Sequence, residues 1–140
     1  MIMYLIAHKN VGIINQLIDI YRQSEVLFSK EQSADAQRKI NVATIKSMLE
    51  QVLSNCDLQD LKTIYAVASI GNHERGERHH FYNNTVEMIV IDIKENEEEL
   101  LNKHSRYIAL LSYEELMDFF FHRVTLAPGL IEGMKILKLT

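Results

Sequence analysis

An apolar stripe repeats at helical spacing through the middle of the first half of the chain. From about Ser33 to Asn55, apolar residues recur every three or four positions, while Lys39, Lys46 and Glu50 occupy other positions. This spacing places the apolar side chains on one face of a helix. The stripe consists of Val42, Ile45, Met48, Leu49, Val52 and Cys56. It predicts a long helix with one face against a core, and it favours a mainly helical fold.

Similar periodicity predicts helices on both sides of this segment. A first helix is expected to begin after Asn10, a suitable N-cap, and to fade near Phe28. Asp57 is expected to cap a third helix. That helix should end at Gly71, since glycine tolerates the positive φ common at helix C-termini.

The second half of the chain contains a further helix-start signal. Ser112 and Glu115 have the spacing of a capping box, in which each side chain bonds the other residue's backbone N–H. This helix is expected to run to about Leu126. Pro128 then suits the start of a last short helix, although residues 135–139 also fit a terminal strand.

The segment 86–94 fits two structures. Its Val and Ile content is typical of a buried strand, but its apolar residues also follow a three–four rhythm that continues to Leu111. We predict a helix here, after a polar loop over residues 71–84 in which a short helical turn is also allowed. The expected fold is mainly α, a compact single-domain bundle of about five to six helices over residues 1–140. The alternative is an α+β fold with a small sheet from 1–7, 86–94 and 134–139.

Composition limits the classes of partner and compartment. The chain has 140 residues and a net charge of −4, so broad electrostatic binding to nucleic acid or to an anionic membrane is not expected. The apolar run at the amino terminus stops at Ala7 and lacks a preceding basic region, so it does not fit a signal peptide or a membrane span. A cytoplasmic protein is expected, with no cofactor.

The order of several short segments resembles a bacterial family catalogued as domain of unknown function 3775. The matching segments are DLQDLKTIYAVASIG (57–71), RYIALL (106–111) and LMDFF (116–120). They follow the family's order between residues 57 and 120, and they consist mainly of apolar residues. The resemblance implies an all-helical fold and implies no activity.

The polar stretch 71–84 contains the residues best suited to bind a metal. Its Gly-Asn-His-Glu sequence at 71–74 is similar to one box of the calcineurin-like metallophosphoesterases, but the other ligand motifs of that centre do not occur in the chain. His73, Glu74, His79 and His80 are the candidate ligands for a zinc-type site. Adjacent residues such as His79 and His80 point in different directions, so a solvated polar loop is favoured.

Cys56 is the only cysteine, which excludes an internal disulfide. A position just before a helix would lower the pKa of the thiol and make it reactive. The residue also completes the apolar stripe of the preceding helix. A buried, slowly reacting thiol is therefore the favoured interpretation.

Three consecutive phenylalanines in the helix opened by Ser112 suggest an interaction surface. Successive helical residues turn by about 100°, so Phe119, Phe120 and Phe121 cannot share one narrow face. Phe120 belongs to the expected core face, on whose edge Phe121 lies. Phe119 falls on a polar side, and it is the expected contact with a partner, most readily another copy of this chain. The predicted interaction residues are Phe119, His122 and Arg123.

Two classes of function follow from these patterns. The favoured one is a macromolecular interaction or regulatory module that binds a protein partner or forms a homodimer, because no phosphate loop, nucleophile elbow or dinucleotide-binding glycine pattern occurs. The alternative is a metal-dependent enzyme that uses the His/Glu loop 71–80. A small-ligand binder also remains open.

Overall fold

The structure, a computed structural model, describes residues 2–29, 35–74, 77–82, 85–90, 93–122 and 126–140. In these ranges the protein is a mainly helical bundle with a β hairpin. The first four helices are α1 Ile2–Lys9, α2 Val11–Ser29, α3 Asp35–Leu53 and α4 Leu58–His73. A hairpin of β1 Glu77–Tyr82 and β2 Thr85–Val90 follows. The chain then forms α5 Glu97–Ser105, a 3-10 turn Arg106–Ile108, α6 Tyr113–His122 and α7 Leu126–Ile136. The mainly α prediction is confirmed, with seven α-helices within the described ranges.

Helix α4 forms the centre of the bundle. It begins with a reciprocal capping box in which Asp57 accepts from the Asp60 amide and Asp60 accepts from the Asp57 amide. Most of its residues from Asp60 onward are buried, and it packs against α1, α5, α6 and above all α7. The predicted cap at Asp57 is confirmed. The predicted helix end at Gly71 is wrong, because α4 continues to His73 and its C-cap residue is Glu74.

Glycines bring α4 and α7 into close contact. A β-carbon on Gly71 would overlap the carbonyl oxygen of Gly129 and lie 2.6 Å from the amide nitrogen of Gly133. A β-carbon on Gly133 would likewise overlap the carbonyl oxygen of Val67. Contacts that close are sterically forbidden to any larger residue. Gly71 is therefore explained by helix packing and not by backbone conformation.

The predicted helix over 86–94 is wrong in its described part, since Thr85–Val90 is a strand. It pairs antiparallel with β1, in a register that runs from Glu77 opposite Val90 to Tyr82 opposite Thr85. The Val and Ile residues of this segment favour a strand over a helix. The loop predicted for 71–84 is also wrong, because Glu77–Tyr82 forms β1. The short helical turn allowed there is the last turn of α4.

The alternative three-part sheet does not form either. Residues 2–9 are helical, and 126–136 form α7. Residues near the two ends of the chain are instead joined by a hydrogen bond from a side chain to the backbone: the Tyr4 hydroxyl donates to the Leu137 carbonyl oxygen at 2.7 Å. None of the described helices is both long enough and apolar enough to cross a membrane.

The capping box at Ser112 is confirmed. The Ser112 hydroxyl accepts from the Glu115 amide, and the Glu115 carboxylate accepts from the Ser112 amide, both at 3.2 Å. The helix that follows is anchored to the core where the Tyr21 hydroxyl donates to the Phe120 carbonyl oxygen at 2.8 Å. Leu116 and Phe120 form its buried side.

Candidate functional site

The candidate metal ligands fall on two different elements. His73 is in the last turn of α4, where its Nδ1 donates to the Ser69 carbonyl oxygen at 2.9 Å. Glu74 follows it but bonds Lys103 and His104 instead. His79 and His80 belong to β1, and their side chains lie outside the described part of the structure. Among the described residues no group of three His, Cys, Asp or Glu side chains is arranged to hold a metal. A site that includes His79 and His80 stays a prediction.

A buried polar cluster joins α4 to α5. His104 is only 2% exposed, and its two ring nitrogens have partners on α4 and at its end. Its Nε2 lies 3.2 Å from Glu74 Oε1, and its Nδ1 lies 2.7 Å from Ser69 Oγ. Since a carboxylate only accepts, Nε2 carries the proton, and Nδ1 accepts from the Ser69 hydroxyl. The cluster is fully hydrogen-bonded with a neutral imidazole.

The electrostatics of the cluster agree with this assignment. Burial lowers the pKa of His104 below its usual value, and the opposing effect of Glu74 does not compensate. Burial raises the pKa of Glu74, but hydrogen bonds from Lys103 and His104 outweigh it, so the net shift is downward. The neutral imidazole and the ionised carboxylate are the stable pair near neutral pH.

Ser69, His104 and Glu74 are hydrogen-bonded one to the next, as the groups of a proton relay would be. Ser69 and His104, however, are buried between helices. Ser69 is buried on α4 against α5. The open cleft of about 900 Å³ beside α5 is lined by Ile2, Met3, Gln59, Lys62, Glu95, Glu98, Glu99, Asn102, Lys103, Ser105, Arg106 and Ala109. Neither Ser69 nor His104 belongs to that lining. The cluster therefore joins α4 to α5, and neither its serine nor its imidazole lines that cleft.

The α3 surface combines exposed apolar and charged groups. We give this name to a shallow groove of about 510 Å³ that is lined by Arg38, Lys39, Val42, Ala43 and Lys46. All five residues are exposed, and Val42 keeps 50% of its accessible area. The groove thus has one apolar strip bordered by three cations.

Val42 is exposed because the apolar stripe of α3 extends beyond the part of the helix that is buried in the bundle. Ile45 and Leu49 lie three and seven residues further along the same stripe, and both are buried. The prediction that Val42 belongs to the core is therefore wrong. Ile40 is also exposed, and it lies about 200° around the helix from Val42. The first turns of α3 thus project from the bundle with apolar residues on more than one side.

The α3 surface adjoins the helix that the sequence marked as an interaction element. Lys46 Nζ lies 5.4 Å from the centre of the Phe121 ring on α6, within cation–π range. His122 follows it, exposed, with its Nδ1 donating to the Asp118 carbonyl oxygen at 2.8 Å. Arg123 lies outside the described residues. Of the predicted interaction residues, His122 is exposed.

The predicted exposure of Phe119 is wrong. Its ring is half-buried and packs edge-on against Tyr65 of α4, with ring centres 4.9 Å apart. Helix α6 is covered on this side as well as on its Phe120 side. Tyr113, at the start of α6, is exposed. The prediction for Phe119 is wrong because α6 packs on two faces instead of one.

Burial of Cys56 is confirmed. Burial raises the pKa of its thiol to about 11, with further contributions from the carboxylates of Asp60 and Asp57. The thiol is therefore protonated near neutral pH, which makes it a poor nucleophile.

Comparisons with protein-family models, with curated proteins and with solved structures found no match to this chain. The resemblance to domain of unknown function 3775 accordingly stays a prediction.

Proposed function

We propose that this protein is an interaction module that binds a protein partner through the α3 surface. The observation that carries the proposal is the exposure of Val42 within the groove, between Arg38, Lys39 and Lys46. An apolar strip edged by charges is a common design for binding an amphipathic helix. The low cysteine content and net charge fit a cytoplasmic setting for such a module.

The chemistry of the groove indicates the partner. Three cations favour a partner segment with carboxylates placed on both sides of an apolar stripe. Burying the exposed half of the Val42 side chain would contribute about 1 kcal/mol to the free energy of binding. The three cations must therefore supply the selectivity and a fast association with the partner. We therefore propose an acidic amphipathic helix of another protein as the ligand.

A site-specific photocrosslinker tests this assignment. Benzoylphenylalanine is placed at Val42 in the full chain, and at Leu110 as a control, because Leu110 is almost fully exposed but lies outside the groove. After irradiation in an extract of the source cells, we expect one protein product from position 42 and none from position 110. The crosslinked segment of the product should be rich in Asp and Glu.

Binding of the purified product then tests the charges. Lys39→Glu should weaken binding about tenfold or more at low salt, because it replaces an attraction with a repulsion. Lys135→Glu, a control at an exposed residue of α7, should leave binding unchanged. Identical products from the two crosslinker positions, or a nucleic-acid product, would overturn the proposal. A product with twice the mass of the chain would assign the groove to self-association instead of an acidic partner.

A further inference from the structure

The cleft of about 900 Å³ beside α5 is lined by residues from three parts of the bundle. Ile2 and Met3 come from α1, and Gln59 and Lys62 come from the first turns of α4. The remaining lining comes from α5, from the residue before it and from the 3-10 turn after it. A volume of this size suits a small ligand.

Helix α5 and the turn after it present an acid, an amide and a cation to the cleft in one row. Glu99, Asn102 and Arg106 are spaced three and four residues apart, so they lie on one face. All three are exposed. At 1.5 Å per residue, Glu99 and Arg106 are separated by roughly 10 Å along the helix axis. The cleft therefore has an acidic end and a basic end, with an amide between them.

Lys62 adds a second cation to the basic end. Its Nζ donates to the Ala109 carbonyl oxygen at 3.4 Å, and the Ala109 amide donates to the Arg106 carbonyl oxygen at 3.3 Å. Lys62 and Arg106 thus belong to the same corner of the cleft. An ammonium group has three donors, and a guanidinium group can bind a carboxylate through two parallel hydrogen bonds. This corner suits a carboxylate.

Other charged residues of the cleft bind the protein itself. Glu98 Oε1 accepts from the Met3 amide, which joins α5 to the start of α1, at 2.6 Å. Lys103 Nζ lies 2.9 Å from Glu74 Oε1 and 3.5 Å from Glu95 Oε1. These bonds hold the walls of the cleft in place.

Glu99 gives the acidic end an accessible carboxylate. The residue is exposed, and its Oε1 accepts from the Asn96 amide at 3.5 Å. An ionised carboxylate can accept about four hydrogen bonds, so Glu99 can also bind an ammonium group.

We propose that the cleft binds a peptide of three residues with free termini, its ammonium group at Glu99 and its carboxylate at Lys62 and Arg106. An extended chain spans at most about 3.5 Å per residue, so three residues match the separation of the two charged ends. Asn102 Nδ2 donates to the Glu98 carbonyl oxygen, and its Oδ1 can accept from a peptide N–H of the ligand. This site lies apart from the α3 surface and does not depend on the function proposed for that surface.

Trialanine and its capped forms test the two ends in the full chain. Calorimetric titration should show saturable binding of trialanine in the millimolar range. Acetylation removes the charge of the amine and amidation removes the charge of the carboxylate. Each should weaken binding about threefold or more, as expected for exposed charge pairs. Dialanine should also bind more weakly, because it is too short to reach both ends.

Substitutions in the cleft then assign each end. In the double variant Lys62→Gln with Arg106→Gln, trialanine and its amide should bind about equally, while acetylation still weakens binding. In Glu99→Gln, trialanine and its acetylated form should bind about equally, while amidation still weakens binding. Lys135→Met, a control at an exposed residue of α7, should bind all the peptides as the parent chain does.

Three results would overturn the proposal. The first is the lack of saturable binding of trialanine, and the second is equal binding of trialanine and its capped forms by the parent chain. The third is a preference for the free carboxylate that survives in a folded double variant, since the carboxylate would then bind elsewhere. If a variant loses the helical circular dichroism of the parent, the capped peptides with the parent chain decide the question.

Discussion

Gly71 on α4 and Gly129 on α7 lie in backbone-to-backbone contact. A β-carbon on either residue would collide with the opposite helix: one on Gly71 with the Gly129 carbonyl group, and one on Gly129 with the Ala68 carbonyl oxygen at 2.8 Å. The neighbouring atoms are mostly backbone, which cannot move aside without displacing a helix. The central packing of the bundle therefore depends on the absence of side chains at these positions.

Gly71→Ala should lower the free energy of unfolding by roughly 3 kcal/mol or more, because the two helices must separate to admit the methyl group. Gly12→Ala is the matched control, since a β-carbon there meets nothing within 4 Å. In a helix that change should stabilise the protein by up to about 1 kcal/mol. Urea denaturation measures both values. Equal effects of the two substitutions would contradict the packing argument.

Acidification should destabilise the protein through His104. Its pKa in the folded state lies below the usual 6.5, so the unfolded chain binds the proton more readily. The stabilisation from the neutral imidazole is complete at pH values well above 6.5. It is lost as the pH falls from 6.5 toward the lower pKa of the folded state. Glu74 adds a second loss below its usual 4.5, since its folded-state pKa is also lowered.

The measurement is the free energy of unfolding between about pH 7 and pH 5. His104→Gln should lower stability at pH 7 and flatten the slope. His122→Gln, a control at an exposed imidazole, should keep the slope of the parent chain. A slope that survives in His104→Gln would assign the pH dependence to other groups.

Asn10 and Asp60 form a second buried polar pair, and its loss should be costly. The Asn10 side-chain amide donates to Asp60 Oδ1 at 2.9 Å, with both residues buried. Asn10→Ala leaves the carboxylate short of a donor, so we expect a loss of about 1–3 kcal/mol. Asn102→Ala, which removes an exposed amide, should change stability by no more than about 0.5 kcal/mol. Thermal denaturation of the two variants at neutral pH makes the comparison.

The thiol of Cys56 should react slowly while the protein is folded. It is buried, and its pKa is raised to about 11, so both access and thiolate content are low. Labelling by a disulfide reagent near pH 8 is expected to follow the unfolding equilibrium, and to accelerate in step with added urea. Complete labelling within seconds under native conditions would show that the thiol is accessible.

The features that the sequence predicts well are local ones. The capping boxes at Asp57 and Ser112 involve residues three apart, so the pattern and the interaction coincide. The start of α2 after Asn10 is also correct. The Asn10 side-chain amide nevertheless donates to the Ile6 carbonyl oxygen and to Asp60, so its bonds are not those of an N-cap.

The features that the sequence misses depend on distant partners. A glycine near a helix end suits either a C-cap or a close helix contact, and only the position of α7 decides for Gly71. His104 keeps the three–four rhythm of the core, but its partners Ser69 and Glu74 lie 35 and 30 residues away. Phe119 falls on a polar side of α6 by angle, yet Tyr65 covers it. Periodicity gives the phase of a helix but not the number or extent of its neighbours.

Val42 and Ile45 provide the sharpest test of where the core ends, because they lie on one apolar stripe of α3 but Val42 is exposed and Ile45 is buried. Val42→Lys should change the free energy of unfolding by no more than about 0.5 kcal/mol, since the side chain is half in solvent and lysine is the better helix former. Ile45→Lys should cost more than about 4 kcal/mol, because it forces a charge into a site that is 3% exposed. Urea denaturation of the two variants gives the difference directly. If Val42→Lys is as damaging as Ile45→Lys, Val42 is a core residue and the α3 surface loses its apolar centre. If the large difference is found, Val42→Lys is a folded protein with an altered groove, and it is then the proper variant for measuring what the α3 surface binds.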